Sequence, residues 1–230
     1  MATPLHLVLL GAGKTGALIA EVAKERGHRT TIITGAENAH GAWLTPENLR
    51  GVDAVIDFTT PEAVLPNIAK CVAAKTPMVV GTTGWYGDLD RVRQEVVQGG
   101  SALVFGANFS YGVNLFFQIA RTAATALQHG YTGQITERHH IHKKDAPSGT
   151  ALALQRVVEQ ATGMKVDVTS EREGDVMGFH QLSLSSTGDT IVLSHDVKSR
   201  RTFAEGAVLA AEWIIGKSGF YDFRDIFLEI

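Results

Sequence analysis

The sequence predicts an α/β fold in which a doubly wound parallel sheet is followed by a smaller α+β domain. Three observations carry this reading. Short, continuously apolar runs alternate with amphipathic helical stretches through the first half of the chain. That is the rhythm of a parallel sheet covered by helices on both faces. A glycine-rich loop, Gly11-Ala12-Gly13-Lys14-Thr15-Gly16, follows the first apolar run directly. Near Asn108 the pattern changes to a long helix and several extended segments, which marks a second domain.

Leu5 to Leu10 reads as a strand buried on both faces. A helix follows the glycine loop, with Leu18, Ile19 and Val22 on one face and Glu21, Lys24, Glu25 and Arg26 on the other, and Gly27 stops it. Thr30 to Thr34 is β-branched and reads as the second strand. Ala54 to Phe58, Met78 to Gly81 and Ala102 to Phe105 are further strands. Between them lie helices at Pro61 to Ala74, with proline in the first turn, and at Leu89 to Val97. A helix is expected over Val113 to Leu127. Tyr131 to His142, Lys165 to Ser170, Gly178 to Ser186 and Thr190 to His195 look extended, with a helix at Thr150 to Ala161 among them. Gly188-Asp189 suits a hairpin turn, so this sheet is expected to be mixed or antiparallel. A helix at Phe203 to Ile215 and a short apolar tail end the chain. The expected organisation is residues 1–109 with 200–230 as a dinucleotide-binding domain, and 110–199 as a substrate-binding domain.

Hydrophobic residues make up 44% of the 230 and charged residues 20%, which are globular values. The net charge is -3 and no long basic run occurs, so no nucleic-acid partner is expected. No apolar run approaches the roughly 18 residues of a membrane span, and no signal peptide is read at the start. The single cysteine, Cys71, excludes an intrachain disulfide and fits the reducing cytoplasm.

Gly11-x-Gly13-x-x-Gly16 lies between a predicted strand and a helix. There the first glycine allows the tight turn, the second lets a pyrophosphate approach the backbone, and the third lets helix pack on strand. Phosphates would meet the free N–H groups of the helix start. This makes the first domain Rossmann-type. The second strand ends at Thr34-Gly35 with no acidic residue at its tip. Glu37 follows slightly later, where solvation alone would account for it. Lys14 and Arg29 could meet a 2′-phosphate, which leans toward NADPH while leaving dual use open. Asp57-Phe58-Thr59-Thr60, Gly81-Thr82-Thr83-Gly84 and Gly106-Ala107-Asn108-Phe109-Ser110 end successive strands, where open α/β sheets bind ligands.

The densest chemistry is the segment from Glu137 to Thr150, with His139, His140 and His142 inside four positions. No metal is expected there, because thiolates are absent and no carboxylate stands at a familiar ligand spacing. A solvated basic face would explain the charge but not the Pro147-Ser148-Gly149-Thr150 turn that follows. Ser148 is a natural helix N-cap. The N–H groups of the turn and the Thr150 hydroxyl suit an anion, and Lys and His upstream add positive charge. The whole describes a pocket for a small carboxylate, with a histidine able to deliver a proton near neutral pH.

Glu137-x-His139-His140-x-His142-Lys143-x-Asp145-Ala146-Pro147-Ser148-Gly149-Thr150-Ala151 resembles the signature of the dihydrodipicolinate reductases almost letter for letter. Supporting stretches are Asp57-Phe58-Thr59, Gly81-Thr82-Thr83-Gly84, Ala107-Asn108-Phe109-Ser110 and Ser199-Arg200-x-Thr202-Phe203-Ala204-x-Gly206-Ala207. The resemblance runs over essentially the whole chain. It implies NADH- or NADPH-dependent reduction of a cyclic dicarboxylate in lysine and diaminopimelate biosynthesis. His139 matches the proton donor and Lys143 the catalytic lysine. His140, Gly149 and Thr150 match substrate-binding positions, and Ser148 joins them in the same turn. Gly11 to Gly16, Phe58, Thr59, Gly81, Thr82, Thr83, Gly106, Ala107, Asn108 and Phe109 match the cofactor site. A homotetramer built through the second domain's sheet is also implied, and that sheet is expected to offer an apolar face. The chain departs from the family at Gly13-Lys14-Thr15-Gly16, where relatives commonly have Gly-Arg-Met-Gly. Lys14 keeps the charge without arginine's fork, so cofactor preference stays open. The chain is also shorter than many relatives, after the second strand and around Gly174.

Overall fold

The computed structural model describes residues 3–230. It divides into two compact units: the chain up to Tyr111 together with Arg200–Ile230, and Gly112–Ser199. The elements of unit 1 are β1 (His6–Leu10), α1 (Lys14–Glu25), β2 (Arg29–Ile33), β3 (Ala54–Asp57), α2 (Pro61–Ala73), β4 (Met78–Val80), α3 (Leu89–Gln98) and β5 (Ala102–Phe105). In unit 2 they are α4 (Tyr111–Ala123, opening on the last residue of the first segment of unit 1), β6 (Thr132–His139), α5 (Gly149–Thr162), β7 (Asp167–Arg172), β8 (Phe179–Ser185) and β9 (Thr190–Asp196). The chain then returns to unit 1 as α6 (Arg201–Trp213), β10 (Gly219–Asp222) and α7 (Phe223–Ile226).

Unit 1 is a six-stranded parallel sheet of order β10-β5-β4-β3-β1-β2. Every residue of β3, β4 and β5 is buried, as expected for strands covered on both faces. Helices α2 and α3 close one face over a core of Val8, Leu10, Val55, Ile68, Met78 and Leu103. Helix α6 packs on α1, β3 and β4. The chain winds outward from β1 in both directions, so the switch point of the sheet lies between β1 and β3. The carboxyl ends of β1, β3, β4 and β5 carry the glycine loop and the three polar loops, which brings these segments to one edge of the sheet.

The structure differs from the sequence reading at three places in these elements. The apolar tail holds β10, which adds an edge strand beside β5. The helix beginning near Val113 is α-helical only to Ala123 and tightens to a 3₁₀ turn over Ala124–His129, ending on Gly130 at φ 84°. The strand expected over Tyr131 to His142 stops at His139, because the chain turns as the Lys143 N–H bonds the His140 carbonyl at 3.1 Å.

Unit 2 is a mixed sheet of order β7-β6-β8-β9, with β6 and β7 parallel and the other pairs antiparallel. One face packs Ile135, Leu182 and Leu184 against Phe116, Ala120, Leu154 and Val158 of α4 and α5. By strand alternation the other face presents Thr136, Gln181 and Ser194 in one cross-strand row, and Gln134, Ser183 and Val192 in the next. It is thus mostly polar, with Val192 its exposed apolar member, where an apolar face was expected. Among the described residues no helix is long and apolar enough to cross a membrane.

Candidate active site

In unit 1, Gly13, Lys14, Thr15, Gly16, Phe58, Thr59, Pro61, Gly81, Thr82 and Thr83 line a cleft of about 320 Å³. Its shape depends on missing side chains. Gly11 has φ +102°, and a Cβ on it would stand 2.4 Å from the Phe58 carbonyl oxygen. A Cβ on Gly16 would stand 2.0 Å from the Gly11 carbonyl oxygen, so only glycine lets α1 start this close to the loop. Gly13 faces open space and caps α1 with no side-chain bond, which leaves the first-turn N–H groups available. These features fit a dinucleotide pyrophosphate.

The opposite wall is fixed by Asp57, which is wholly buried. One carboxylate oxygen accepts from the Thr59 N–H (3.0 Å), the Thr59 hydroxyl (2.7 Å) and the Thr82 hydroxyl (2.7 Å). The other accepts from the Asn67 amide at 2.8 Å, and Asn67 in turn accepts from Asn38 at 2.8 Å. Two cleft loops and the β2–β3 connection thus hang on one carboxylate. The Phe58 ring lies over Gly81, where a Cβ would come within 2.2 Å of it. Phe58 also tilts against Phe109, with centroids 5.9 Å apart. Phe109 is buried beneath the Gly106 to Asn108 turn, so it supports that loop from below.

Arg29 opens β2, at the end of the strand opposite the cleft, roughly 13 Å from its carboxyl tip at 3.3 Å per residue. It cannot reach a 2′-phosphate there. Glu37 is not simply solvated: its carboxylate folds back to accept the Thr34 N–H (2.8 Å) and hydroxyl (2.7 Å), placing an anion at the tip of β2. Those two bonds, the hydroxyl's foremost, hold its carboxyl below the usual range.

In unit 2, His139 ends β6 and Ser148 caps α5 by accepting the Ala151 N–H at 3.2 Å. Glu137 joins them. It is fully buried, accepts from His139 Nδ1 and Arg172 Nη2 (3.0 Å), and takes the Ser148 N–H at 3.3 Å. Burial pulls its carboxyl up, but Arg172 and His139 outweigh this and hold it below its usual range. His139 is lowered by burial against the pull of Glu137.

His180 on β8 is also buried, and burial together with nearby His139 pushes it down to about 4. It is therefore neutral at physiological pH. Its Nε2 is 3.1 Å from the Ser148 hydroxyl oxygen, and its buried Nδ1 has no partner among the described residues. An unpaired lone pair costs less here than an N–H buried without an acceptor, so Nε2 carries the proton and donates it. Ser148 then accepts two hydrogen bonds, and its own hydroxyl proton is left to give.

Lys143 Nζ lies 2.8 Å from an Asp145 carboxylate oxygen, within the turn before Ser148. The His140 and His142 rings are tilted against each other, with centroids 6.2 Å apart. The structure therefore gathers His139, His140, Lys143, Ser148, Gly149 and Thr150 along one strand end and helix start. Sequence reasoning passed over Asp57, Glu137, Arg172 and His180 as site residues. Glu137 was signalled by its two-residue spacing from His139, which puts both on one face of a strand.

The family model for the N-terminus of dihydrodipicolinate reductase matches residues 5–109, and the model for its C-terminus matches residues 112–227. The chain belongs to the dihydrodipicolinate reductase family. It is an oxidoreductase. The 4-hydroxy-tetrahydrodipicolinate reductase of Christiangramia forsetii is 35% identical, over 98% of this chain and 99% of that protein. That of Thiobacillus denitrificans is 39% identical, over 82% and 79%. A dipicolinate-bound dihydrodipicolinate reductase from Paenisporosarcina sp. TG-14 superposes with a TM-score of 0.81 at 20% identity, over 97% of this family member and all of that chain (100%). GenD2 from gentamicin A biosynthesis, solved with NAD, shares the fold at a TM-score of 0.61 and 13% identity, over 94% and 87%. Among the described residues no three His, Cys, Asp or Glu side chains gather to hold a metal ion.

Proposed function

We propose that this enzyme reduces 4-hydroxy-tetrahydrodipicolinate to tetrahydrodipicolinate with NADH or NADPH, in lysine and diaminopimelate biosynthesis. The observation that carries the reading is in unit 2. A buried carboxylate–histidine pair is bonded directly to the Ser148 turn, so a proton donor and a carboxylate site are one construction. When bound, the nicotinamide supplies a hydride. The chain's own residues do the rest. The N–H groups at Gly149 and Thr150, the Thr150 hydroxyl and the freed Ser148 proton hold a substrate carboxylate. Lys143 exchanges Asp145 for that carboxylate, and His140 adds to the positive side of the pocket. The 4-hydroxyl leaves as water with a proton from the adjacent ring carbon, and His139 returns a proton to that carbon as hydride reaches C4. The Gly11 to Gly16, Phe58-Thr59, Gly81 to Thr83 and Gly106 to Phe109 loops hold the cofactor.

Glu37 decides between the two cofactors in this reading. Its anion at the tip of β2 accepts a ribose 2′-hydroxyl and repels a 2′-phosphate. The test follows oxidation of each cofactor with substrate made in situ from pyruvate and aspartate semialdehyde. Substrate-dependent oxidation is expected, with kcat/KM higher for NADH. In Glu37→Ala the ratio should move toward NADPH by about tenfold, equivalent to roughly 1.4 kcal/mol. Absence of turnover with either bound cofactor would refute the reductase reading. An unmoved ratio would refute the role of Glu37.

The cytoplasm suits an enzyme of this kind with one buried thiol, Cys71. We further propose a homotetramer in which the outer face of the β7-β6-β8-β9 sheet meets a second copy. Val192, 54% exposed on that face, is the position to test. Val192→Glu is expected to lower the sedimenting mass of the assembly, since an interface cannot bury an unpaired charge. An unchanged mass would place the interface elsewhere.

A further inference from the structure

Glu137 and His139 sit two residues apart on β6, so the pleat turns both to the inner face. Across the sheet, His139 is opposite Arg172 of β7 and Glu137 is opposite His180 of β8. A fully buried carboxylate survives as an anion only when its oxygens are satisfied. Here one oxygen takes His139 Nδ1, and the other takes Arg172 and the Ser148 N–H. Arg172 is itself anchored, donating to the Asp145 carbonyl at 2.6 Å.

We propose that Glu137 is the positioning residue of the proton donor: it holds His139 with a proton on Nδ1, leaves Nε2 as the reactive nitrogen, and stabilises the imidazolium that gives its proton away. A carboxylate only accepts, so the ring nitrogen facing it must carry the hydrogen. Nε2 then loads and releases the transferred proton. Gly178 keeps that nitrogen clear, since a Cβ there would stand 3.2 Å from it. The charged or titratable groups around the ring are Glu137 from β6, Arg172 from β7, His180 from β8 and Lys143 from the turn. Of these only Glu137 favours the imidazolium. In turnover the substrate gains one hydride from the cofactor and one proton from Nε2. His139 returns to its neutral form with Nδ1–H intact, Glu137 takes no proton, and solvent reloads Nε2.

The inference rests on reading His139 as the acid, and its tests separate the two. Glu137→Gln keeps the size and an acceptor oxygen but removes the charge. The single-turnover rate should fall about 10²-fold, while affinity for dipicolinate changes by less than about threefold. The pH profile gives the sign. Glu137 raises the His139 pKa, and the acid form is lost as pH rises through that pKa. Without the anion the alkaline limb must therefore move to lower pH. Nitrogen-15 NMR of histidine-labelled wild-type protein reads the tautomer with no variant to fold, His139 being assigned by its absence in His139→Gln. Neutral His139 protonated on Nδ1 supports the inference, and protonation on Nε2 overturns it. If His139→Gln is slow but Glu137→Gln keeps rate and profile, the positioning role falls and the acid stands. If His139→Gln turns over normally, the acid reading falls, and with it the catalytic role of Glu137.

Discussion

His139→Gln should slow the single-turnover reduction by about 10²–10⁴-fold, the usual worth of a positioned acid, with little loss of cofactor or dipicolinate affinity. Glutamine fills similar space, and its amide can still donate to Glu137, so the buried carboxylate is not orphaned. What it lacks is a group that cycles a proton near neutral pH. His139 reaches the proposed carboxylate groups at the start of α5 only through Glu137, which accepts the Ser148 N–H, and the glutamine leaves that bond in place. Stopped-flow absorbance of the reduced cofactor, beside equilibrium titration with dipicolinate, checks both halves. An unchanged single-turnover rate would remove His139 from the chemistry. A collapse of binding would move it into the carboxylate site.

Gly206→Ala should damage both stability and cofactor binding. Helix α6 buries Ala204, Gly206, Ala207, Ala210 and Ala211, a run of small residues that lets it lie close to its neighbours. A Cβ at Gly206 would stand 1.7 Å from the Phe109 carbonyl oxygen and 3.2 Å from the Phe223 ring. The nearer obstacle is backbone, so it cannot swing aside. Either α6 backs away or the loop ending at Phe109 shifts. Overpacking of this kind costs about 1–3 kcal/mol, equivalent to several degrees of Tm in a chain of this size. Because Phe109 ends one of the loops proposed to hold the cofactor, NADH affinity should fall with it. Thermal unfolding and cofactor titration read the two effects, and a variant with wild-type values in both would show that the helix has slack here.

How much of this was legible depended on how local each signal was. The parallel strands announced themselves, since Leu7 to Leu10 or Ala54 to Ile56 can be apolar throughout only when covered on both sides. β10 did not, because Gly219–Asp222 is four half-buried residues at an edge, given meaning by Phe220 stacking on Phe105 at 4.8 Å. Ser148 was legible as a cap because its partner, Ala151, lies three residues on. Arg172 and His180 were not, because nothing in the sequence fixes which residues of β7 and β8 stand opposite β6. Arg29 misled for a related reason: its charge is plain in the sequence, but which end of the strand it occupies depends on where that strand begins.

Unit 1 is written in two pieces, and synthesis from the amino end gives that arrangement a cost in time. Sequence for unit 2 is complete at Ser199, whereas the sheet of unit 1 still lacks the strand that pairs with β5. At about 5–20 residues per second the last helices and strand follow some seconds later. In that interval Leu103, Val104 and Phe105 border an open strand edge with nothing hydrogen-bonded to it, the kind of edge through which nascent chains associate wrongly. The inserted unit can fold first on its own continuous sequence. The hydrogen-bonded partner of that edge arrives only with Gly219–Asp222.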